Sequence, residues 1–107
     1  MNEQRLAQLF KFLEEDKNDP FTLYAIALEY QTEYPAKAME YFEGLLKNHP
    51  NYTGTYYHAA KLYSFLDKKE EAEKIFLKGL KICKEQGEHH AFKELQNAYN
   101  EFLFEEE

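Results

Sequence analysis

The sequence contains no tryptophan, one cysteine, four glycines and three prolines among its 107 residues. The lone Cys83 has no partner for an internal disulfide, which is typical of a reducing compartment, and we expect a cytoplasmic protein. The scarcity of glycine and proline argues against a flexible linker or a low-complexity segment. The chain also lacks an apolar run of about 20 residues, and its first residues do not resemble a secretory signal, so we expect neither a membrane span nor a signal peptide.

Basic residues are outnumbered by acidic ones. The chain has 13 Lys and Arg against 20 Asp and Glu, a net charge of -7. The excess lies at the two ends, since residues 1–20 carry five acids and three bases, residues 88–107 carry six acids and one base, and residues 21–87 carry nine of each. Nucleic-acid binding requires a cluster of Lys and Arg that replaces counterions, so this distribution argues against a nucleic-acid partner.

Patterns that indicate a metal, cofactor or catalytic site are missing. Four histidines are candidate metal ligands: His49, His58, His89 and His90. His89 and His90 are adjacent, and adjacent residues of a helix point about 100° apart. No further His or Cys lies beside this pair at a spacing typical of metal ligands. Cys83 lies in the middle of a predicted helix, which favours a packing role over a nucleophilic one. The sequence therefore predicts no metal, no cofactor and no catalytic residue.

The four glycines are isolated from one another, so no glycine-rich loop that binds phosphate is present. We interpret Gly44 and Gly79 as sites where neighbouring helices approach closely.

An internal repeat is the main feature that the sequence does contain. Thirty-four residues separate Ala38 from Ala72, and the same number separates Phe42 from Phe76. Each pair follows a segment of common spacing, which is Leu23-x2-Ile26-Ala27-x2-Tyr30 in the first copy and Tyr56-x2-Ala59-Ala60-x2-Tyr63 in the second. A fixed period of this length indicates stacked helix-turn-helix units.

These residues, together with Pro50 at the end of the first copy, resemble the tetratricopeptide repeat family over residues 19–87. The resemblance implies an all-α fold of antiparallel helix pairs, stacked as a short right-handed solenoid. Lys84 stands where the second copy would have its closing proline, so we expect that helix to continue to about Gly87. The implied function is non-enzymatic: an interaction module that binds a peptide or helix of another protein.

Apolar spacing predicts six helices, over about residues 3–16, 20–33, 35–48, 52–66, 69–86 and 88–105. Pro20 and Pro35 suit the first turns of the second and third helices. Asp19 and Asp67 are the predicted N-caps of the second and fifth. Four residues form one apolar face of the sixth helix: Ala91, Leu95, Ala98 and Phe102.

We expect a single domain over residues 1–107, with repeat 1 at 19–52 and repeat 2 at 53–87. Residues 1–18 are predicted to form an N-terminal half-repeat helix, because Phe12 stands eight residues before Pro20 as Phe42 does before Pro50. Residues 88–107 are predicted to form a C-terminal capping helix, which covers the apolar face of the last pair.

In the family, the first helices of successive pairs line a concave groove for the partner. Transferred to this sequence, ten residues would line it: Tyr24, Leu28, Gln31, Tyr57, His58, Lys61, Phe65, Phe92, Gln96 and Tyr99. Such a groove would be aromatic and nearly uncharged, which favours an apolar or aromatic peptide. Lys61 alone is too few cations for the clamp with which some members hold acidic chaperone tails. Alternatively, Phe65, Phe92 and Tyr99 pack against neighbouring helices as core.

Self-assembly is a second hypothesis. Phe102, Leu103 and Phe104 form an apolar cluster at the C-terminus, and the terminal helices of two copies would pair across a two-fold axis. The product would be a homodimer.

Overall fold

The computed structural model describes the backbone of residues 1–106 and the side chains of residues 1–105. Regular secondary structure in this range consists of six α-helices: α1 (Glu3–Glu15), α2 (Pro20–Tyr30), α3 (Pro35–Asn48), α4 (Gly54–Phe65), α5 (Lys69–Glu85) and α6 (His89–Glu106). The predicted all-α helical-repeat fold is confirmed. No helix in the described part of the chain combines the length and the apolar composition that a membrane crossing requires.

The helices form two compact units, Met1–Tyr52 and Thr53–Glu107. The first contains α1 to α3 and the second contains α4 to α6. The division falls where the sequence analysis placed the boundary between its two repeats. The organisation as one domain, with its half-repeat and capping helices, stays a prediction.

In the first unit, α2 packs against both α1 and α3. Asp19 is the N-cap of α2, and Pro20 occupies the first turn, as predicted. Ala27 of α2 and Ala38 of α3 are fully buried, and small side chains at such positions let two helix backbones approach closely. The core of this unit is completed by larger apolar side chains: Leu6, Leu9, Ile26, Phe42 and Leu45.

Two helix boundaries differ from the predicted ones. α2 ends at Tyr30, three residues early, because Tyr34 has φ -133° and ψ 65° and so lies outside helical geometry, directly before Pro35. The N–H of Tyr34 donates to the carbonyl of Tyr30 at 2.7 Å and closes the turn. α4 begins at Gly54, two residues later than predicted, because residues 50 and 51 still form a turn.

The predicted equivalence of Phe12 and Phe42 is wrong. Phe42 is fully buried, whereas 52% of Phe12 is exposed. The buried residues of α1 are Leu6 and Leu9, which lie nearer its N-terminus. Within the described residues α1 packs mainly against α2, so part of its surface has no neighbouring helix to cover it.

Two threonines at matching positions of the two repeats have different hydrogen bonding. Thr22 precedes Leu23 in the first motif, and Thr55 precedes Tyr56 in the second; both are buried. The hydroxyl of Thr22 donates to Asp19 Oδ2 at 2.6 Å. The Oγ1 of Thr55 is buried and has no hydrogen-bond partner among the described residues, since Tyr52 stands where the first repeat has Asp19.

We therefore expect the same substitution to have opposite effects at these two positions. Thr55→Val should raise the free energy of unfolding by about 1 kcal/mol, because it removes an unsatisfied hydroxyl. Thr22→Val should lower it by about 1 kcal/mol, because a formed hydrogen bond is lost. Urea denaturation followed by circular dichroism measures both, and the intrinsic difference between Thr and Val in a helix is common to the pair. Equal changes in the free energy of unfolding of the two variants would contradict the assignment of a hydrogen-bonded hydroxyl at Thr22 and an unsatisfied one at Thr55.

In the second unit, α5 packs against α4 and α6, and α4 also contacts α6. Leu95, Ala98 and Phe102 form the buried face of α6, as predicted, and Ala91 is partly buried. Gly79 lies where the three helices meet. A Cβ at this position would lie 2.6 Å from Tyr56 Cβ and 2.7 Å from Leu95 Cδ2. The predicted close approach at Gly79 is confirmed.

Gly44, in contrast, has no described atom within 4 Å of the position that a Cβ would occupy, apart from its chain neighbours and the backbone of its own helix, so the packing role predicted for it is wrong. The repeat register explains the difference: Leu45, and not Gly44, stands 34 residues before Gly79.

Asp67 is not the N-cap of α5, contrary to the prediction; the capping position belongs to Lys68. Asp67 has φ 63° and follows the C-cap of α4. The N–H of Lys68 donates to the carbonyl of Tyr63 at 2.8 Å, and that of Asp67 to Ser64 at 3.1 Å. This pair of bonds is the Schellman motif, which satisfies carbonyls at a helix C-terminus.

The end of α5 has the same bonding pattern. Gly87 has φ 69°, and the N–H of Glu88 donates to the carbonyl of Cys83 at 2.9 Å. The predicted end of this helix at Gly87 is confirmed.

Candidate functional site

The predicted groove residues of α2 lie in the first unit. Tyr24 and Leu28 of α2 are partly buried, as is Gln31, the C-cap that directly follows the helix; their spacings of four and three residues place them on one face. The ring of Tyr24 meets that of Tyr52 edge to face, with the centroids 5.5 Å apart. Their participation in ligand binding stays a prediction.

The predicted residues of α4 lie in the second unit, and two of them interact directly. The ammonium of Lys61 donates to the Tyr57 hydroxyl at 3.3 Å and lies 5.0 Å from the centroid of its ring. The neighbouring His58 ring packs edge to face on Tyr57 at 5.1 Å. Phe65 follows Lys61 by four residues, and 82% of it is exposed. It is therefore not a core residue, although the sequence allowed that interpretation.

A groove runs between α4 and α6 in the second unit. It consists of two adjoining depressions of about 160 and 170 Å³, which share Ala98 and Glu101. We refer to it as the α4/α6 groove. From α4 it is lined by Tyr57, Lys61, Ser64 and Phe65, from α5 by Phe76, and from α6 by Glu94, Asn97, Ala98, Glu101, Phe102 and Glu105.

The predicted α6 residues Phe92, Gln96 and Tyr99 line neither depression. The Tyr99 hydroxyl donates to Glu73 Oε2 of α5 at 3.3 Å, and its ring centroid lies 5.4 Å from that of Phe76. The Gln96 amide donates to Asn100 Oδ1 at 3.1 Å. Tyr99 therefore contributes to packing against α5.

The face of α6 that lines the groove is offset from the predicted face. Glu94, Ala98, Glu101 and Glu105 follow one another at intervals of four, three and four residues, as a helical stripe does. This stripe begins two residues after Phe92, a rotation of about 200° around the helix axis. The spacing was visible in the sequence, but nothing in it indicated which stripe faces α4.

The α4/α6 groove is acidic, contrary to the nearly uncharged groove that we expected. Its lining contains three carboxylates, those of Glu94, Glu101 and Glu105, and one ammonium, that of Lys61. The imidazole of His58 does not add positive charge at neutral pH. Burial, assisted by the nearby Lys61 ammonium, lowers its pKa below the usual value, and the weaker effect of Glu94 opposes this.

Among the described residues, no group of three or more His, Cys, Asp or Glu side chains is arranged to hold a metal ion. Cys83 is buried, and burial together with the charge of Glu88 raises the pKa of its thiol. The thiol is therefore protonated at neutral pH, in keeping with a packing role.

Phe102 is not available for the proposed homodimer contact. It is buried against Phe76, with ring centroids 5.3 Å apart, and so belongs to the core of its own unit. Leu103 and Phe104 are exposed, the latter by 77%. Self-association through these two residues stays a prediction.

Comparison with known proteins identifies similar solved structures, including the following two. The solution NMR structure of a tetratricopeptide repeat domain protein from Salinibacter ruber is 38% identical, with a TM-score of 0.76, over 81% of this chain and 89% of that chain. A crystal structure of a tetratricopeptide repeat domain protein from Salinibacter ruber is 37% identical, with a TM-score of 0.75, over 79% of this chain and 96% of that chain. No family model and no curated protein matches the sequence. Because the identity extends over most of both chains and accompanies the same fold, this chain belongs to the tetratricopeptide repeat family.

Proposed function

We propose that this protein is a non-enzymatic interaction module that binds a peptide or helix of a partner protein in the α4/α6 groove. Domains of this family are in general modules of protein–protein interaction. The site within this chain is our proposal. One wall of the proposed site is formed by α4, through Tyr57, Lys61 and Phe65, and the opposite wall is formed by residues of α6.

The exposure of Phe65 is the observation that supports this site best. A phenylalanine that is 82% exposed gains no stability from burial in its own fold, yet it lies at the edge of a groove. A rigid aromatic side chain offers a large contact area at a small cost in conformational entropy, which is why such residues are favoured at binding hot spots. Tyr57 and Lys61 add a polar contact surface beside it.

The test is a selection of short random peptides, displayed on phage, against the immobilised full chain, followed by affinity measurements on the selected peptides. We expect Phe65→Ala to weaken their binding by about tenfold or more, because a central aromatic contact is removed. Phe12→Ala is the matched control, since Phe12 is also an exposed phenylalanine but lies in the first unit.

Circular dichroism of both variants verifies that the helices are intact. Failure to select any peptide would contradict the proposal, as would selected peptides that bind Phe65→Ala as tightly as they bind the wild type.

A further inference from the structure

The α4/α6 groove, whose use in binding is the function proposed above, has an unbalanced charge distribution. The carboxylates of Glu94, Glu101 and Glu105 line its α6 side. Among the residues that the structure describes, no hydrogen bond or ion pair is found for the carboxylate of Glu101 or Glu105. Glu94 lies 3.5 Å from His90, an ion pair only when that imidazole is protonated. The groove therefore presents carboxylates whose charge is not neutralised within the fold.

One ammonium, that of Lys61, stands against the three carboxylates that line the groove, so the lining stays acidic. The Lys61 ammonium is held on Tyr57, both by the hydrogen bond to its hydroxyl and by the position over its ring. Lys69 lies 5.9 Å from the centroid of Phe102 and does not line either depression. A ligand that brings its own cations would therefore find acceptors at Glu101 and Glu105.

The same groove has an apolar part next to these carboxylates. Phe65, Phe76 and Ala98 line the depression that Glu101 and Glu105 also line. An apolar side chain placed there removes the Phe65 ring from water. Lys or Arg residues beside it in the ligand then lie within reach of the two carboxylates, and Arg in particular pairs with a carboxylate through two parallel hydrogen bonds.

We propose that the groove recognises a basic peptide segment of a partner protein, in which an apolar residue is flanked by Lys or Arg. The apolar side chain packs on Phe65 and Ala98, and the cationic side chains pair with Glu101 and Glu105. The net charge of -7 adds long-range attraction for such a segment and increases its association rate.

Charge also disfavours two other occupants. An acidic peptide would place its carboxylates beside those of the groove, an arrangement that repulsion opposes. A second copy of this chain carries the same net charge of -7, and its exposed Leu103 and Phe104 are followed directly by three glutamates, Glu105 to Glu107.

The composition of peptides selected from the random library tests this inference. We expect the peptides that bind the full chain to be enriched in Lys and Arg next to an apolar residue. The double variant Glu101→Lys, Glu105→Lys should bind these peptides at least tenfold more weakly, and selection against it should no longer favour basic peptides. Raising the salt concentration should weaken binding to the wild type.

A variant with the same change in net charge is the control. Glu14→Lys, Glu15→Lys alters two exposed glutamates of α1, outside the groove, and should bind the selected peptides nearly as the wild type does. Equal losses in the two double variants would show that net charge alone matters and would overturn the assignment to this groove.

The failure of this inference is distinguishable from the failure of the proposed function. The selected peptides could lack an excess of Lys and Arg and still lose their binding to Phe65→Ala. That result would overturn the specificity for basic peptides but would still support the α4/α6 groove as the binding site. Failure to select any peptide would overturn both.

Discussion

Gly79→Ala is expected to lower the free energy of unfolding by about 3 kcal/mol. The added methyl group would lie 2.6 Å from Tyr56 Cβ and 2.7 Å from Leu95 Cδ2. Tyr56 is fully buried, and its Cβ is attached directly to the helix backbone, so the clash is relieved only if α4 moves relative to α5. The gain in helix propensity from Gly to Ala, about 1 kcal/mol, is too small to offset this strain. Urea denaturation followed by circular dichroism measures the loss.

Gly44→Ala is the matched control for that experiment. The substitution is chemically identical and also lies inside a helix, but the added methyl group meets no described atom within 4 Å apart from its chain neighbours and the backbone of its own helix. We expect an increase in the free energy of unfolding of about 0.5 to 1 kcal/mol, because Ala has the higher helix propensity. If the two variants changed stability in the same direction, the close contact of α4, α5 and α6 at Gly79 would be disproved.

Phe42→Ala is expected to have the largest effect, a loss of about 3 to 5 kcal/mol in the free energy of unfolding. Phe42 is fully buried in the first unit, next to other fully buried residues of α2 and α3. Removing its ring leaves a cavity that backbone atoms of packed helices do not readily fill, and this adds to the lost burial of apolar surface. Chemical denaturation monitored by circular dichroism is the measurement.

Phe12→Ala provides the comparison, because the sequence pattern predicted that Phe12 and Phe42 are equivalent. With 52% of Phe12 exposed, we expect its truncation to cost about 1 kcal/mol or less. A loss at Phe12 as large as that at Phe42 would restore the equivalence that the structure rejects.

Local sequence features determined the helices and most of their ends. Asp19 and Pro20 begin α2, and Gly87 ends α5, because capping, a fixed φ and a positive φ are properties of single residues and their nearest neighbours. Asp67 shows the limit of this reasoning. Aspartate suits both an N-cap and a left-handed position, and only the hydrogen bonds around it decide between the two.

The repeat pattern likewise predicted the buried residues well where it was complete. Ala38, Ala72, Phe42 and Phe76 are all buried, because a residue at a fixed position of a repeating unit has the same neighbours in each unit. The argument failed at Phe12, which is 52% exposed, because α1 packs less extensively against α2 than α3 does.

The candidate site depended on information that the sequence does not contain. The spacing of α6 defines two stripes about 200° apart, one with Phe92 and Tyr99 and the other with Glu94 and Glu101. Which stripe faces α4 follows from how α6 docks on α5, where Tyr99 bonds to Glu73 and Phe102 packs on Phe76. The sequence by itself determined the helices and the repeat, since these follow from local propensity and spacing. The acidic character of the α4/α6 groove was decided only by tertiary packing, because the rotation of a helix about its own axis is set by its neighbours.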